Sequence, residues 1–311
     1  MAVNKNGIVV MGAVFVDIKG FPDDVYIPDG RNAGKVEYIH GGVSRNVVED
    51  IANMELRPTF LSIVDESALG DAVVRKLNNH KVNTEYIQSA PNGMGTWLAV
   101  FDNNGDLAGS ISQRPDLMPL LGVLEKKGDE IFANADSIII EVDVDKEIVK
   151  KVVELCEKHQ KKLYGVVSNM SIAVERRDFL QKFDCFICNQ LEAGMFFADD
   201  FSETAPKELA EILAKKLRLA KIPSMVVTMG GAGSVYADMK GKKGFCPAKK
   251  VQVKDTTGAG DAFCAGVSSG LTYGKTLAES VEIGTRLAAS VITSSENVCP
   301  RFLPGELGIE A

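Results

Sequence analysis

No stretch of about 18 consecutive apolar residues occurs in the chain, so a helix that crosses a membrane is not expected. The N-terminal MAVNKNGIVVMGAV has one Lys and no small-residue cleavage site, and reads as a first buried strand rather than a leader. No basic block is present either. Lys and Arg number 35 against 42 Asp and Glu, for a net charge of −7. Nucleic acid is therefore a poor partner, because phosphate neutralisation needs clustered cations. Only three His occur, and no G-x-S-x-G, which argues against a serine hydrolase. No G-x-G-x-x-G follows the first strand, so a dinucleotide-binding unit is unsupported. Gly270 to Thr276 ends like a P-loop but is one residue short and joins two helical stretches, so it reads as a helix–helix turn. The six Cys sit mostly in apolar or helical contexts, as at Cys156, Cys264 and Cys299, which suits reduced thiols in a cytosol. Cys185 and Cys188 form the one C-x-x-C, without a second pair, and read as part of a buried strand.

What the chain does contain is alternation. Apolar runs at 7–14, 59–64, 136–142, 162–167, 184–188 and 224–230 look like strands buried on both faces. Amphipathic segments at 43–54, 67–80, 146–159, 205–219, 261–272 and 276–293 lie between them. Strand–helix alternation predicts an α/β fold with a parallel sheet covered by helices. Two regions break it, at about 16–41 and 84–113, and the Asn103-Asn104-Gly105 turn in the second marks a hairpin. These pieces are expected to form a small antiparallel sheet that acts as a lid or an oligomer interface. With no repeat and no Pro- or Ser-rich linker, residues 1–311 read as one unit with that two-part lid.

The densest chemistry lies in Asp255-Thr-Thr257-Gly258-Ala259-Gly260-Asp261, between the strand-like KKVQV and an apolar helical stretch. Glycines let backbone approach a ligand closely, and the N–H groups of 258–260 at a helix start make an anion site. Asp261 beside them is placed to accept a hydroxyl proton. Anion hole plus base is the minimum apparatus for phosphoryl transfer. A second glycine pair, Gly41-Gly42, opens a helix that carries Asn46, whose amide offers donor and acceptor to a hydroxylated ligand. Gly12-x4-Asp17 puts a carboxylate just past the first strand. Arg45 suits either a carboxylate partner that fixes the loop or a ligand carbonyl. Glu141, at a strand end, is placed for a substrate contact or reads simply as a solvated strand-end charge, and Arg114 is placed for a substrate or a lid partner.

DTTGAGDAF, GG-x3-N and the Gly12–Asp17 opening together resemble the pfkB (ribokinase-like) family of carbohydrate and nucleoside kinases. The resemblance implies a three-layer α/β sandwich with a mainly parallel sheet and a small β lid. It implies transfer of the γ-phosphoryl group of ATP to a substrate hydroxymethyl group, with Mg²⁺. By that likeness Asp261 is the base and Gly258, Ala259 and Gly260 the anion hole. Asn189 and Glu192 match N-x-x-E, with Glu192 near Mg²⁺ through water. Thr228, Gly230, Gly233 and Thr257 fall on the nucleotide side, and Asp17, Gly41, Gly42, Asn46 and Glu141 on the substrate side. Asp255 matches a monovalent-cation ligand, usually potassium, and a homodimer through the lid is implied. Asp65-Glu-Ser67-Ala-Leu-Gly70 departs from the family's G-x-D-x-x-G. Arg45 immediately before Asn46 is similar to the pseudouridine kinase branch, which makes pseudouridine the first expected substrate. A free sugar (ribose, fructose or a keto-deoxy sugar acid) and a non-catalytic binding role are the alternatives.

Overall fold

The computed structural model describes residues 7–310. Of the N-terminal stretch read as a strand, residues 1–6 lie outside the described residues, and the rest supplies β1 (Ile8–Met11). In chain order there follow β2 (Phe15–Pro22), β3 (Gly34–Gly41), α1 (Val43–Asn53), β4 (Thr59–Val64), α2 (Ala68–Asn79) and β5 (Ile87–Ser89). Next come β6 (Gly95–Phe101), β7 (Leu107–Gln113), α3 (Pro119–Asn134), β8 (Ser137–Glu141), α4 (Lys146–His159) and β9 (Lys162–Val166). The short α5 (Met170–Ala173) and α6 (Arg177–Leu180) lead to β10 (Cys185–Asn189), α7 (Gln190–Phe197), α8 (Pro206–Ala220) and β11 (Ser224–Thr228). β12 (Ser234–Asp238), β13 (Lys243–Cys246), α9 (Ala259–Thr272) and α10 (Leu277–Val291) follow, and a short 3-10 turn spans Pro304–Leu307 near the end of the described residues.

Two sheets result. The larger runs β13-β12-β11-β10-β9-β8-β1-β4-β5, parallel from β11 to β5 with an antiparallel hairpin at the other edge. Its strands are apolar on both faces because both are covered, and the side chains sort with period two. In β10, Phe186 and Cys188 pack with α3, α4, α7 and α8, while Cys185 and Ile187 pack with α1, α9 and α10. The C-x-x-C thus points its two thiols to opposite faces. The fold is the expected three-layer α/β sandwich.

The smaller sheet, β3-β2-β6-β7, stands apart from the larger one. Its β6–β7 turn is the one read from Asn103-Asn104-Gly105: Gly105 has φ 83°, and Asp102 Oδ1 accepts from the backbone of Asn104 and Asp106. The second expected lid segment began at 84, but Ile87–Ser89 pairs with β4 and extends the main sheet instead. KKVQV forms no strand. Val251 and Val253 are exposed, and β13 already occupies the sheet edge they would need. Helix α3 went unread, since Pro119 at its first turn looks like a breaker but is compatible with a helix start.

Strand order reverses at β1, which lies between β4 and β8. In open α/β sheets the crevice beyond the C-terminal strand ends at such a point is where ligands bind. Gly12 follows β1, Glu141 ends β8, Asn189 ends β10 and Thr228 ends β11.

Candidate active site

Helix α9 begins two residues earlier than the apolar pattern suggested. Gly258 is its N-cap, so Ala259, Gly260 and Asp261 form the first turn. Gly258 sits at φ 79°, and any Cβ there would fall 1.9 Å from the Asn297 carbonyl oxygen, so only glycine fits. A Cβ on Gly260 would meet nothing within 4 Å, which leaves this turn open to a ligand. Ala259 N–H donates to Thr256 at 3.2 Å, and Thr257 N–H donates to Asp255 Oδ1 at 2.8 Å.

Asp261 meets the second glycine motif directly. Asn46 Nδ2 donates to Asp261 Oδ2 at 2.6 Å, joining residues 215 apart in sequence. The other amide atom, Asn46 Oδ1, is buried without a hydrogen-bond partner. Asp17, on β2, lies on the same crevice: a Cβ on Gly41 would stand 2.8 Å from both its carboxylate oxygens. Burial raises the Asp17 carboxyl above its ordinary value, against the opposing charges of Lys19 and Arg45. Asp261 keeps partial exposure, yet desolvation pushes its pKa up to about 7. Asn46 and Arg45 oppose that rise, and the charges of Asp17 and Glu192 add to it. A carboxyl that titrates near neutrality in a crevice is a candidate acid–base group.

Glu141 is brought to the same place but turned inward. It is 1% exposed, and its Oε1 accepts from Ser44 N–H at 2.8 Å and Ala13 N–H at 3.4 Å. It therefore sits at the N-terminus of α1, where a carboxylate is favoured. Burial and then the charge of Asp143 push its pKa up. Asp143, which the sequence reading missed, is 2% exposed and pairs with Arg114 at 3.0 Å, and it accepts from Ser168 N–H and Oγ–H. Arg114 thus faces Asp143 rather than a lid partner. The signal that pointed to Asp143 was its place two residues beyond the β8 strand end.

The residues expected on the nucleotide side divide. Asn189, Thr228 and Gly230 line a cleft of about 1040 Å³ together with Gln190, Gly194 and Met195. Glu192, Gly233 and Thr257 lie outside that lining. Asn189 and Glu192 form a reciprocal cap at the start of α7, with bonds of 2.8 and 2.7 Å. Burial, and then Asp143, raise the Glu192 carboxyl. Gly233, at φ 108°, closes the turn after β11, its carbonyl accepting from Met229 N–H at 2.8 Å. Among the described residues no group of three or more His, Cys, Asp or Glu converges on a metal position. The chemistry of Glu192 fits a Mg²⁺ ion nonetheless, since that ion takes one or two carboxylates and completes its shell with water and phosphate oxygens.

The raised Asp261 carboxyl has a consequence for stability. Its folded pKa lies above its unfolded value near 3.8, so the folded state loses stability as pH rises between the two. Asp261→Asn removes that titration. The variant's Tm minus that of the wild type should climb by at least about 2 °C from pH 4 to pH 7 and level off above it, as measured by calorimetry. A difference that stays constant with pH would show that the carboxyl is not raised.

Comparisons with known proteins bear on the family and the fold. Residues 5–299 match the pfkB family carbohydrate kinase family. The chain is 35% identical over 294 residues to guanosine-inosine kinase of Exiguobacterium acetylicum, covering 94% of this chain and 96% of that one. It is 24% identical over 278 residues to pseudouridine kinase of Escherichia coli (strain K12), covering 89% and 87%. Its fold superimposes on Arabidopsis thaliana ribokinase complexed with ribose and ATP with a TM-score of 0.84, over 97% of this chain and 98% of that one, at 19% identity. Sequence, fold and the meeting of the two glycine motifs at Asp261 lead to one conclusion: the chain belongs to the pfkB family of carbohydrate kinases.

Proposed function

We propose that the chain transfers the γ-phosphoryl group of ATP to the hydroxymethyl group of a nucleoside, with guanosine and inosine as the preferred acceptors. The observation that carries the reading is the 2.6 Å bond from Asn46 to Asp261 Oδ2. It holds one carboxylate oxygen and leaves Oδ1 for the acceptor hydroxyl, while the unpartnered Asn46 Oδ1 offers that acceptor a buried hydrogen-bond site. As the hydroxyl oxygen bonds to the γ-phosphorus, its proton passes to Asp261 and the bond to the β–γ bridging oxygen breaks. A base that titrates near 7 is matched to that transfer at neutral pH. The N–H groups of Gly258 and Gly260, at the cap and first turn of α9, face the charge that develops on the transferred group, while the Ala259 N–H is held by the Thr256 carbonyl. Mg²⁺, when bound near Glu192, supplies charge neutralisation at the phosphates. Asn189, Thr228 and Gly230 contact the nucleotide in this reading, and Asp17, Gly41 and Gly42 the acceptor. Glu141 serves the acceptor side by fixing the start of α1. Potassium belongs in the assay because Asp255 stands beside the 292–297 loop, tied to it by Lys254 N–H on the Ile292 carbonyl.

The order of acceptors follows the relatives. The purine nucleoside kinase is 35% identical and the pseudouridine kinase 24%, so pseudouridine, the acceptor suggested by Arg45, ranks second. A cytoplasmic setting fits the six unpaired cysteines. ADP release with ATP, Mg²⁺ and K⁺ should show kcat/KM for guanosine or inosine at least about tenfold above pseudouridine and ribose. Asp261→Asn should lower kcat by about 10²–10⁴-fold. Preferred turnover of ribose would overturn the nucleoside assignment. Silence across the panel, with ATP bound, would favour a non-catalytic member of the fold.

Two copies are also proposed to pair through the lid. The face of the small sheet opposite Asp17 carries one cross-strand row, Tyr38, Ile18, Leu98 and Ile111, aligned by the strand register. Tyr38 is 61% and Ile111 70% exposed, an apolar edge that a second copy would cover. Sedimentation should find a dimer that Ile111→Asp converts to monomer. A monomeric wild type, or a variant that stays dimeric, would contradict the pairing.

A further inference from the structure

The acceptor loop is held from below by an ion pair that neither motif explains. Arg45 is 1% exposed and each of its three guanidinium nitrogens donates inside the protein. Nε donates to the Gly41 carbonyl at 3.3 Å, one terminal nitrogen to the His40 carbonyl, and the other to Glu49 Oε2 at 2.6 Å. Every guanidinium nitrogen is thus engaged within the protein, and burial keeps the group from reading a ligand. It turns two successive carbonyls inward at the point where the chain leaves β3 for α1. Asn297 Nδ2 donates to the same His40 carbonyl at 2.9 Å, and the adjacent Asn297 carbonyl abuts Gly258. Both glycine motifs thus rest on one anchorage.

Glu49 completes that anchorage. It is fully buried one turn along α1, and Lys76 of α2 reaches its second oxygen at 3.0 Å, with His80 at 3.6 Å. Burial alone would raise its carboxyl, but Arg45, then Lys76 and His80, hold it below its ordinary value, so it stays charged. A buried pair of this kind contributes little net stability compared with an apolar pair of the same volume. Its distinctive property is geometric: a planar fork oriented at one end by a carboxylate presents its remaining donors in a fixed direction.

We propose that Glu49 is a positioning residue for the transfer reaction, orienting Arg45 so that the His40–Gly42 turn holds Asp17, Asn46 and Asp261 in register around the acceptor. This rests on the reading of the crevice as the acceptor site. Loss of Glu49 frees Arg45 to swing, the two carbonyls lose their shared donor, and Gly41 no longer abuts the Asp17 carboxylate. Nucleotide contacts on β10 and β11 are untouched.

The test is steady-state kinetics of Glu49→Gln and Arg45→Lys with guanosine or inosine, alongside hydrogen exchange of the backbone amides. Each variant should raise KM for the acceptor at least about tenfold while KM for ATP stays within about twofold. The double variant should be no worse than either single one, because the two residues act as a unit. Amides of residues 41–46 should exchange at least about tenfold faster, with those of α4 and α8 unchanged. A purely structural role would lower kcat through the active fraction and leave both KM values in place, and that result overturns the proposal. Unchanged exchange at 41–46 overturns it as well. If the wild type phosphorylates no acceptor, the kinase reading fails, and the exchange measurement still decides whether Glu49 holds the loop.

Discussion

Everything in the crevice depends on bringing a carboxylate out of water without neutralising it. Asp261 lies in the first turn of α9, where the helix dipole favours its charge, yet protein surrounds it and the charges of Asp17 and Glu192 work against it. One hydrogen bond, from Asn46, opposes these effects and also sets the carboxylate's orientation. The balance leaves a carboxyl that is neither permanently ionised nor permanently protonated at neutral pH. The same bond ties α1 to α9, so the geometry of that carboxyl and the packing of two helices are one constraint.

Around it the molecule accumulates acidic groups in places where each needs a separate reason to exist. Glu141 is held by the N-terminus of α1, Asp143 by Arg114 and Ser168, and Glu49 by Arg45 and Lys76. Asp50, beside Glu49, accepts from Cys299 N–H at 2.6 Å and keeps its other oxygen without a partner, so burial raises it strongly. Buried acidic groups of this kind are a poor way to gain stability and a good way to hold loops in one arrangement. The strands supply the compensation: apolar on both faces, they bury two continuous cores that tolerate a polar seam at their C-terminal ends.

The sequence made six of the parallel strands legible because each of β1, β4, β8, β9, β10 and β11 is a largely apolar run, which the short β5 is not. It made Asp261, Gly258 and Asn46 legible because glycine, amide and carboxylate fall at fixed offsets from a helix start. Where the reading failed, local pattern met a tertiary constraint. KKVQV alternates like a strand, but β13 already holds the edge of the main sheet beside β12, and Val251 and Val253 stay exposed. Residues 87–89 look like lid, but β4 offers them a backbone ladder. Glu141 reads as an exposed strand end because nothing near it in sequence shows that Ser44 and Ala13 converge on it. Glu49 was invisible for a simpler reason: a Glu on an amphipathic helix normally faces water, and only the fold reveals that Arg45 and Lys76 meet it inside.

The central claim is that Asp261 is a tuned base, and a direct test is the carboxyl ¹³C titration of Asp-labelled protein. Asp261→Asn identifies the resonance by its disappearance. An apparent pKa of about 7 is the predicted result. A resonance that titrates near the ordinary value of about 4 would contradict the account. The crevice would then hold a permanently ionised aspartate, and its proximity to Asn46 would be packing alone.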